Sequence, residues 1–181
     1  MASIEENIRR LGGLKPIRDP LAPMPEAEIA DLERSLAARL PEGYRSFLAT
    51  YGSTAFEQYT DFETLKPMRP WLSQETGWHF DLFYGAAASL YTIKDRIKCY
   101  QDRMPETLLP IGGDGGGNQI CLGIAGPERG RIYFWDHEDE WDEEDYTSRG
   151  KPIPPDLKFQ NVHLIANSFE EFLDQMYVVD I

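Results

Sequence analysis

The segment LPIGGDGGGNQICLG, residues 109–123, carries the strongest structural signal in this chain. Five of the six residues from 112 to 117 are glycine, with Asp114 among them and Asn118 directly after them. Glycine-rich runs of this kind occur where a loop binds phosphate, and also where the backbone makes a sharp turn. The two interpretations require different residues after the last glycine.

The residues around the glycines argue against a ligand-binding loop. A Walker A loop needs a lysine after its last glycine, but Asn118 follows Gly117. A dinucleotide fingerprint leads into a helix, whereas the alternating apolar residues after Gly117 predict a strand. A calcium loop needs several oxygen ligands at alternate positions, which Asp114 alone does not supply. We therefore predict an architectural turn made by Gly115, Gly116, Gly117 and Asn118.

Two apolar segments after the glycines predict a β-hairpin. In QICLGI (119–124), Ile120 and Leu122 lie on one face of a strand and Cys121 on the other. The segment AGPERG (125–130) supplies turn residues, and RIYFWDH (131–137), which contains Trp135, returns as the second strand. The glycine run is then the turn that leads into the first strand of this hairpin.

The rest of the chain predicts helices and strands without regular alternation. Helices are predicted over 4–11, from Pro25 to Leu40, over 41–52, over 86–101 and over NSFEEFLDQMYVVD (167–180), and strands over 79–85 and 162–166. This order favours an α+β fold, a single domain with a mainly antiparallel sheet whose central hairpin packs against helices. We expect residues 1–25 to form an N-terminal helix and a proline-rich arm, and residues 26–181 the domain.

Composition limits the classes of partner. The chain of 181 residues holds 31 acidic and 18 basic residues, a net charge of −13, which repels nucleic acid and anionic lipid and attracts basic surfaces. Cys99 and Cys121 are too few for a disulfide framework, and we expect both to be reduced and buried. No signal peptide or long apolar run is evident, which favours a cytoplasmic protein.

The densest charge in the chain follows the hairpin. Eight of the ten residues from 136 to 145 are acidic, and Trp141 lies in their middle. Such a run is commonly a solvated loop, but an aromatic residue among carboxylates is also typical of a surface that binds a basic protein. The candidate partner-binding residues are Asp136, Glu138, Asp139, Glu140, Trp141, Asp142, Glu143, Glu144 and Asp145.

An enzymatic function has weaker support. Asp114, Asp136 and His137 lie near the predicted ends of the hairpin strands and could serve a metal-dependent or small-molecule enzyme. No second histidine lies at metal-ligand spacing, and no nucleophile motif is present. We therefore predict a non-catalytic protein without metal or cofactor.

The ordered set of segments resembles the SUKH superfamily of bacterial immunity proteins and fungal cell-wall synthesis regulators. LPEGYRSFLATYG, LPIGGDGGGNQICLGI, GRIYFWDHED and IANSFEEFLDQM carry the resemblance, which spans about residues 26–177. It implies one α+β domain that binds a protein, in many bacterial members a cognate toxin and often a nuclease. The same resemblance leaves open a regulatory interaction domain without a toxin partner.

Overall fold

Ten strands build two antiparallel sheets in this computed structural model, which describes residues 2–18, 20–65, 77–86 and 91–180. The larger sheet has the order β1-β2-β5-β6-β7-β8-β9 and the smaller one the order β10-β3-β4. The strands are β1 Leu14–Pro16, β2 Thr54–Phe56, β3 Thr60–Phe62, β4 Trp78–Phe80, β5 Leu82–Phe83, β6 Leu108–Gly113, β7 Gln119–Gly123, β8 Ile132–Trp135, β9 Val162–Ala166 and β10 Met176–Val178.

Helices pack against these sheets and complete an α+β domain, as the sequence predicts. Aromatic rings from two of these helices and from strand β5 meet in the main core, where the ring centroids of Phe47, Phe83 and Phe169 all lie within 6 Å of one another. None of the helices in the described ranges is long and apolar enough to cross a lipid bilayer. The helices are α1 Ile4–Arg10, α2 Glu26–Ser35, α3 Glu42–Thr50, α4 Ile93–Cys99, α5 Glu144–Thr147 and α6 Phe169–Gln175.

The central hairpin is confirmed. Strands β7 and β8 pair antiparallel, with Gln119 opposite Trp135 and Leu122 opposite Ile132. Both faces are buried: Ile120 and Leu122 belong to the main core. On the opposite face, Cys121 packs in a second cluster that contains Tyr100, Met104, Tyr133 and Trp135.

The glycine run differs from the prediction in one respect. Gly112 and Gly113 belong to β6, a strand that the sequence pattern does not reveal because every residue of it is buried and apolar alternation is absent. Strand β6 pairs antiparallel with β7, so the following turn joins two paired strands instead of only leading into one.

Helices α2 and α3 confirm the predicted pair, but α2 is shorter than predicted. It ends at Ser35, and the backbone turns at Ala37, whose φ is +49°, before Pro41 is reached. Helix α3 buries Tyr44, Phe47 and Leu48. Gly52 follows its C-cap with φ +65°, a conformation that favours glycine after a helix.

Three predicted elements are wrong in extent. The strand predicted over 79–85 is divided between the two sheets, with Asp81 at the crossing, because Phe80 and Phe83 must both enter the core. Helix α4 begins at Ile93, after its N-cap Thr92, so residues 86, 91 and 92 are not part of the helix predicted to start at 86. Residues 87–90 of that prediction lie outside the described ranges. The last helix ends at Gln175, where the chain turns extended and pairs with β3.

Residues of the predicted N-terminal arm contact the same core. Strand β1 pairs with β2 at the sheet edge, and Asn7 Nδ2 of α1 donates to Asp174 Oδ1 of α6 at 2.7 Å. Arg10 donates to the Leu173 carbonyl at the end of α6. The division of the chain at residue 25 stays a prediction. Cys99 is exposed on α4, against the expectation of burial, whereas Cys121 is buried.

Candidate functional site

The glycine turn is closed by the carboxylate of Asp114. Its Oδ1 accepts from the backbone N–H of Gly116 at 2.8 Å and of Asn118 at 3.1 Å, and its Oδ2 accepts from Asn118 Nδ2 at 2.6 Å. Gly115 and Gly117 have φ of +75° and +105°, a region where a side chain is strained. The backbone donors of this turn are thus directed at its own aspartate.

Asn118 connects this turn to the end of β8. Its Oδ1 accepts from the backbone N–H of His137 and lies 2.9 Å from His137 Nδ1. Because Asp114 fixes the amide with its N–H₂ toward the carboxylate, Oδ1 faces the imidazole, and Nδ1 carries the hydrogen of that contact. The structure therefore brings Asp114 and His137 together through Asn118.

Asp136, which precedes His137 in the chain, is fully buried. Its side chain accepts from the Glu138 backbone N–H at 3.0 Å, and its backbone N–H donates to the Asn161 carbonyl at 2.9 Å. Asp136 is thereby unavailable to a partner at the surface, and the alternative trio of Asp114, Asp136 and His137 is not assembled around one accessible point. Trp135 is also fully buried, with its ring 5.2 Å from that of Tyr100.

The acidic segment, defined here as residues 138–145, follows β8, the second strand of the central hairpin. Within it, the Asp142 side chain accepts from the backbone N–H of Glu144, the first residue of the short helix α5, at 2.8 Å. Six of its carboxylate residues are exposed, namely Glu138, Asp139, Asp142, Glu143, Glu144 and Asp145.

Arg103 fixes the remaining two residues of the acidic segment. Its Nε donates to Glu140 Oε1 at 2.7 Å and its Nη2 to Glu140 Oε2 at 2.6 Å, which is a bidentate ion pair. The carbonyl of Arg103 accepts from Trp141 Nε1 at 2.9 Å. The hydrogen bonds to Glu140 raise the pKa of the Arg103 guanidinium, so this cation stays charged.

The guanidinium of Arg103 also stacks on the second cluster. Its Cζ lies 5.1 Å from the centroid of the Tyr100 ring and 5.5 Å from that of Trp135. Arg103 thus links the acidic segment to the second cluster, which it contacts through Tyr100 and Trp135. Sequence reasoning missed Arg103, because 37 residues separate it from Glu140 and no local pattern marks it.

Metal ligands are not assembled in the part of the chain that the structure describes. No group of three or more His, Cys, Asp or Glu side chains there is placed to hold a metal ion.

Comparison with known proteins agrees with the fold. Residues 23–175 match the model of the SMI1 / KNR4 family (SUKH-1). The chain is also similar to the SPbeta prophage-derived uncharacterized protein YokK of Bacillus subtilis (strain 168), with 31% identity over 155 residues. That alignment covers 81% of this chain and 71% of the Bacillus protein. With the family match spanning strands β2 to β9, the glycine turn and the last helix, this chain belongs to the SMI1 / KNR4 family (SUKH-1).

Proposed function

We propose that this protein is an immunity protein that binds and neutralises a basic protein toxin, such as a nuclease, through its acidic segment. The observation that carries the proposal is the attachment of that segment to the domain by Arg103. Glu140 and Trp141 are committed to Arg103, and the exposed carboxylates beside them are presented from a fixed backbone. A surface that is ordered before binding loses less conformational entropy in a complex.

Electrostatics supports a basic partner. The net charge of −13 attracts cationic proteins over the whole surface, and the acidic segment concentrates that attraction at one place. A nuclease holds its substrate in a cationic groove, and a carboxylate-rich surface is complementary to such a groove. The same charge raises the association rate at low salt. At physiological ionic strength, dissolved ions screen this attraction beyond a Debye length of about 8–10 Å.

Family membership supports a binding protein. Members of this family are generally non-enzymatic immunity or regulatory proteins that bind protein partners. The relative from Bacillus is prophage-derived by its name, a setting that agrees with a role in conflict between bacteria. We propose the immunity role for this chain because its charge suits a basic toxin.

The test begins with the genes that neighbour this one: a basic toxin encoded there is co-expressed with this chain, and association rates of the purified pair are measured. The variant Asp139→Asn, Asp142→Asn, Glu143→Gln, Glu144→Gln removes four exposed charges without touching Glu140. We expect protection to fall and the association rate at low salt to drop by about tenfold or more, since steering spans roughly 10–10³. Added salt is expected to reduce the difference between the two proteins.

A matched control separates the acidic segment from net charge. The variant Glu57→Gln, Glu63→Gln, Glu106→Gln, Asp180→Asn removes four exposed carboxylates from other surfaces and changes the net charge equally. We expect it to protect almost as well as the unchanged protein. Equal losses in the two variants would show that only net charge matters, and unchanged protection in the first variant would reject the acidic segment as the binding surface.

A further inference from the structure

A cavity of about 260 Å³ lies beside the glycine turn and is lined by a charged side chain. Arg96 of α4 lines it, with the guanidinium Cζ 5.3 Å from the ring centroid of Tyr84 and 5.7 Å from that of Tyr91. Asp81 lines the same cavity and is exposed. Further walls come from Leu82, Tyr100, Gly113, Gly115, Gly117, Asn118 and Gln119.

The charge of Arg96 is not neutralised within the described ranges. No carboxylate described there forms an ion pair with it, although the protein is strongly acidic. Its Nε is buried without a hydrogen-bond acceptor. Asp95, one position before it, instead accepts from the Thr92 hydroxyl at the start of α4. Because Nε is buried and the guanidinium lies over the rings of Tyr84 and Tyr91, a ligand in the cavity can meet this cation through its terminal nitrogens.

The polar groups of the cavity wall are fixed in place. The Tyr84 hydroxyl donates to Gln119 Oε1 at 2.7 Å, and Gln119 Nε2 donates to the carbonyls of Gly117 and Asn118, each at 2.8 Å. Gly113 leaves room for this network, because a Cβ there would lie 2.7 Å from the Tyr84 hydroxyl oxygen. The wall beside Arg96 is therefore preorganised by bonds that do not involve Arg96.

From this arrangement we propose that the cavity binds a small amino acid in its zwitterionic form, with the carboxylate on Arg96 and the ammonium group toward Asp81. A guanidinium pairs with the planar carboxylate through two parallel hydrogen bonds. Asp81 attracts an ammonium group and opposes a dianion such as phosphate. The volume is below the roughly 300–1,000 Å³ of sites for drug-sized ligands, which limits the ligand to a small molecule.

Calorimetric titration of the full chain with individual L-amino acids tests the proposal, at concentrations up to about 10 mM, tenfold above a weak Kd of about 1 mM. The amide and the N-acetyl derivative of the amino acid that binds best, together with inorganic phosphate, serve as comparison ligands. We expect both derivatives and phosphate to bind at least about tenfold more weakly than the free amino acid. Heat from none of the amino acids, equal binding of either derivative, or tighter binding of phosphate would each overturn the proposal.

Variants assign the two charged groups. Arg96→Gln is expected to weaken binding of the amino acid by at least about tenfold, and Arg9→Gln, which removes an exposed arginine of α1, is expected to leave it unchanged. Asp81→Asn is expected to weaken binding of the free amino acid but not binding of its N-acetyl derivative, which has no ammonium group. Unchanged binding in Arg96→Gln would reject the site, and where that variant does not fold, the ligand comparison with the unchanged protein and Asp81→Asn decide.

Discussion

Arg103 and Glu140 form a bidentate ion pair, with donor–acceptor distances of 2.7 and 2.6 Å, that attaches the acidic segment to the face of the central hairpin. The Arg103 side chain is 43% exposed and that of Glu140 is 22% exposed, so solvent screens the pair in part. Its role is to fix the position of a segment that would otherwise repel itself.

Removal of the anchor is expected to loosen the acidic segment more than it destabilises the fold. After the discount for screening, we expect Glu140→Ala to lower the free energy of unfolding by about 1 kcal/mol or less. Limited proteolysis within 138–150 is expected to become faster, because the segment loses its link to Arg103. Chemical denaturation and a protease time course measure the two effects.

Asp139→Ala is the matched control for the anchor, since Asp139 is the exposed neighbour and also an acid. Its proteolysis rate is expected to stay near that of the unchanged protein. If both variants are cleaved equally fast, the ion pair does not hold the segment. A double-mutant cycle with Arg103→Ala isolates the pair itself.

Asn118 is expected to be the most sensitive polar residue of the glycine turn. It is buried, donates to Asp114 and accepts from His137, so Asn118→Ala leaves several groups without partners. We expect a loss of about 1–3 kcal/mol in the free energy of unfolding. Asn118→Asp keeps the shape but places a second carboxylate against Asp114, and should cost more at pH 7 than at pH 4, where protonation relieves the repulsion.

Thermal or chemical unfolding at both pH values measures the Asn118 variants. A cost of Asn118→Asp that does not change with pH would show that repulsion by Asp114 is not its cause. An unchanged free energy of unfolding in Asn118→Ala would show that the hydrogen bonds to the turn and to His137 contribute nothing to stability.

Gly52 is expected to tolerate no side chain. Its φ is +65°, and a Cβ would lie only 2.1 Å from the carbonyl oxygen of Ala22. Gly130 has a similar φ of +83° with nothing within 4 Å of the added atom. We expect Gly130→Ala to cost about 1–2 kcal/mol, from the left-handed backbone alone, and Gly52→Ala to cost more than about 3 kcal/mol or prevent folding.

The comparison of the two glycine variants by chemical denaturation isolates the close approach of residue 22 to the end of α3. Similar losses in Gly52→Ala and Gly130→Ala would contradict the contact. Expression without folded protein for Gly52→Ala alone would agree with it.

The two cysteines are expected to differ in reactivity. Burial raises the pKa of the Cys121 thiol, so this group remains protonated at pH 8 as well as inaccessible, whereas Cys99 is exposed. A thiol reagent at pH 8 is expected to modify one cysteine in the folded protein and both after denaturation. Rapid modification of two thiols in the folded state would contradict the packing of Cys121, and Cys99→Ser identifies the reactive residue.

The same shift predicts how stability depends on pH. The folded protein holds the Cys121 proton more tightly than the unfolded chain does. The contribution of Cys121 to the free energy of unfolding is therefore fully present below the pKa of the thiol in the unfolded chain, about 8.5. It is lost progressively as the pH rises above that value. Cys121→Ala, which does not titrate at this site, is expected to show a weaker loss of stability with alkaline pH.

Local patterns were sufficient for several elements. The alternation in 119–124 predicts β7 with its correct face, and the segments 162–166 and 167–180 predict β9 and the start of α6. At that start, Ser168 accepts from the Glu171 backbone N–H. In these segments the residues that decide the structure lie within a few positions of one another, so the signal is contained in the segment itself.

Elements set by distant contacts were not predictable in this way. Strand β6 is buried throughout and shows no alternation, and the stretch 78–83 is divided because two sheets each require one of its phenylalanines. The length of α6 depends on β3, which pairs with residues 176–178 and withdraws them from the helix. The preference of a short segment for helix or strand is weak compared with the effects of burial and strand pairing. The tertiary contacts of such a segment therefore decide its secondary structure.

The candidate site divides along the same line. Composition and sequence order alone establish an acidic domain with a glycine turn, a central hairpin and a dense run of carboxylates. Only the tertiary structure shows that Asp136 is buried, that Glu140 is held by Arg103, and that Arg96 lies in a cavity beside the turn. Charge and glycine content are properties of the chain itself, whereas burial and pairing depend on residues that the fold brings together from distant positions.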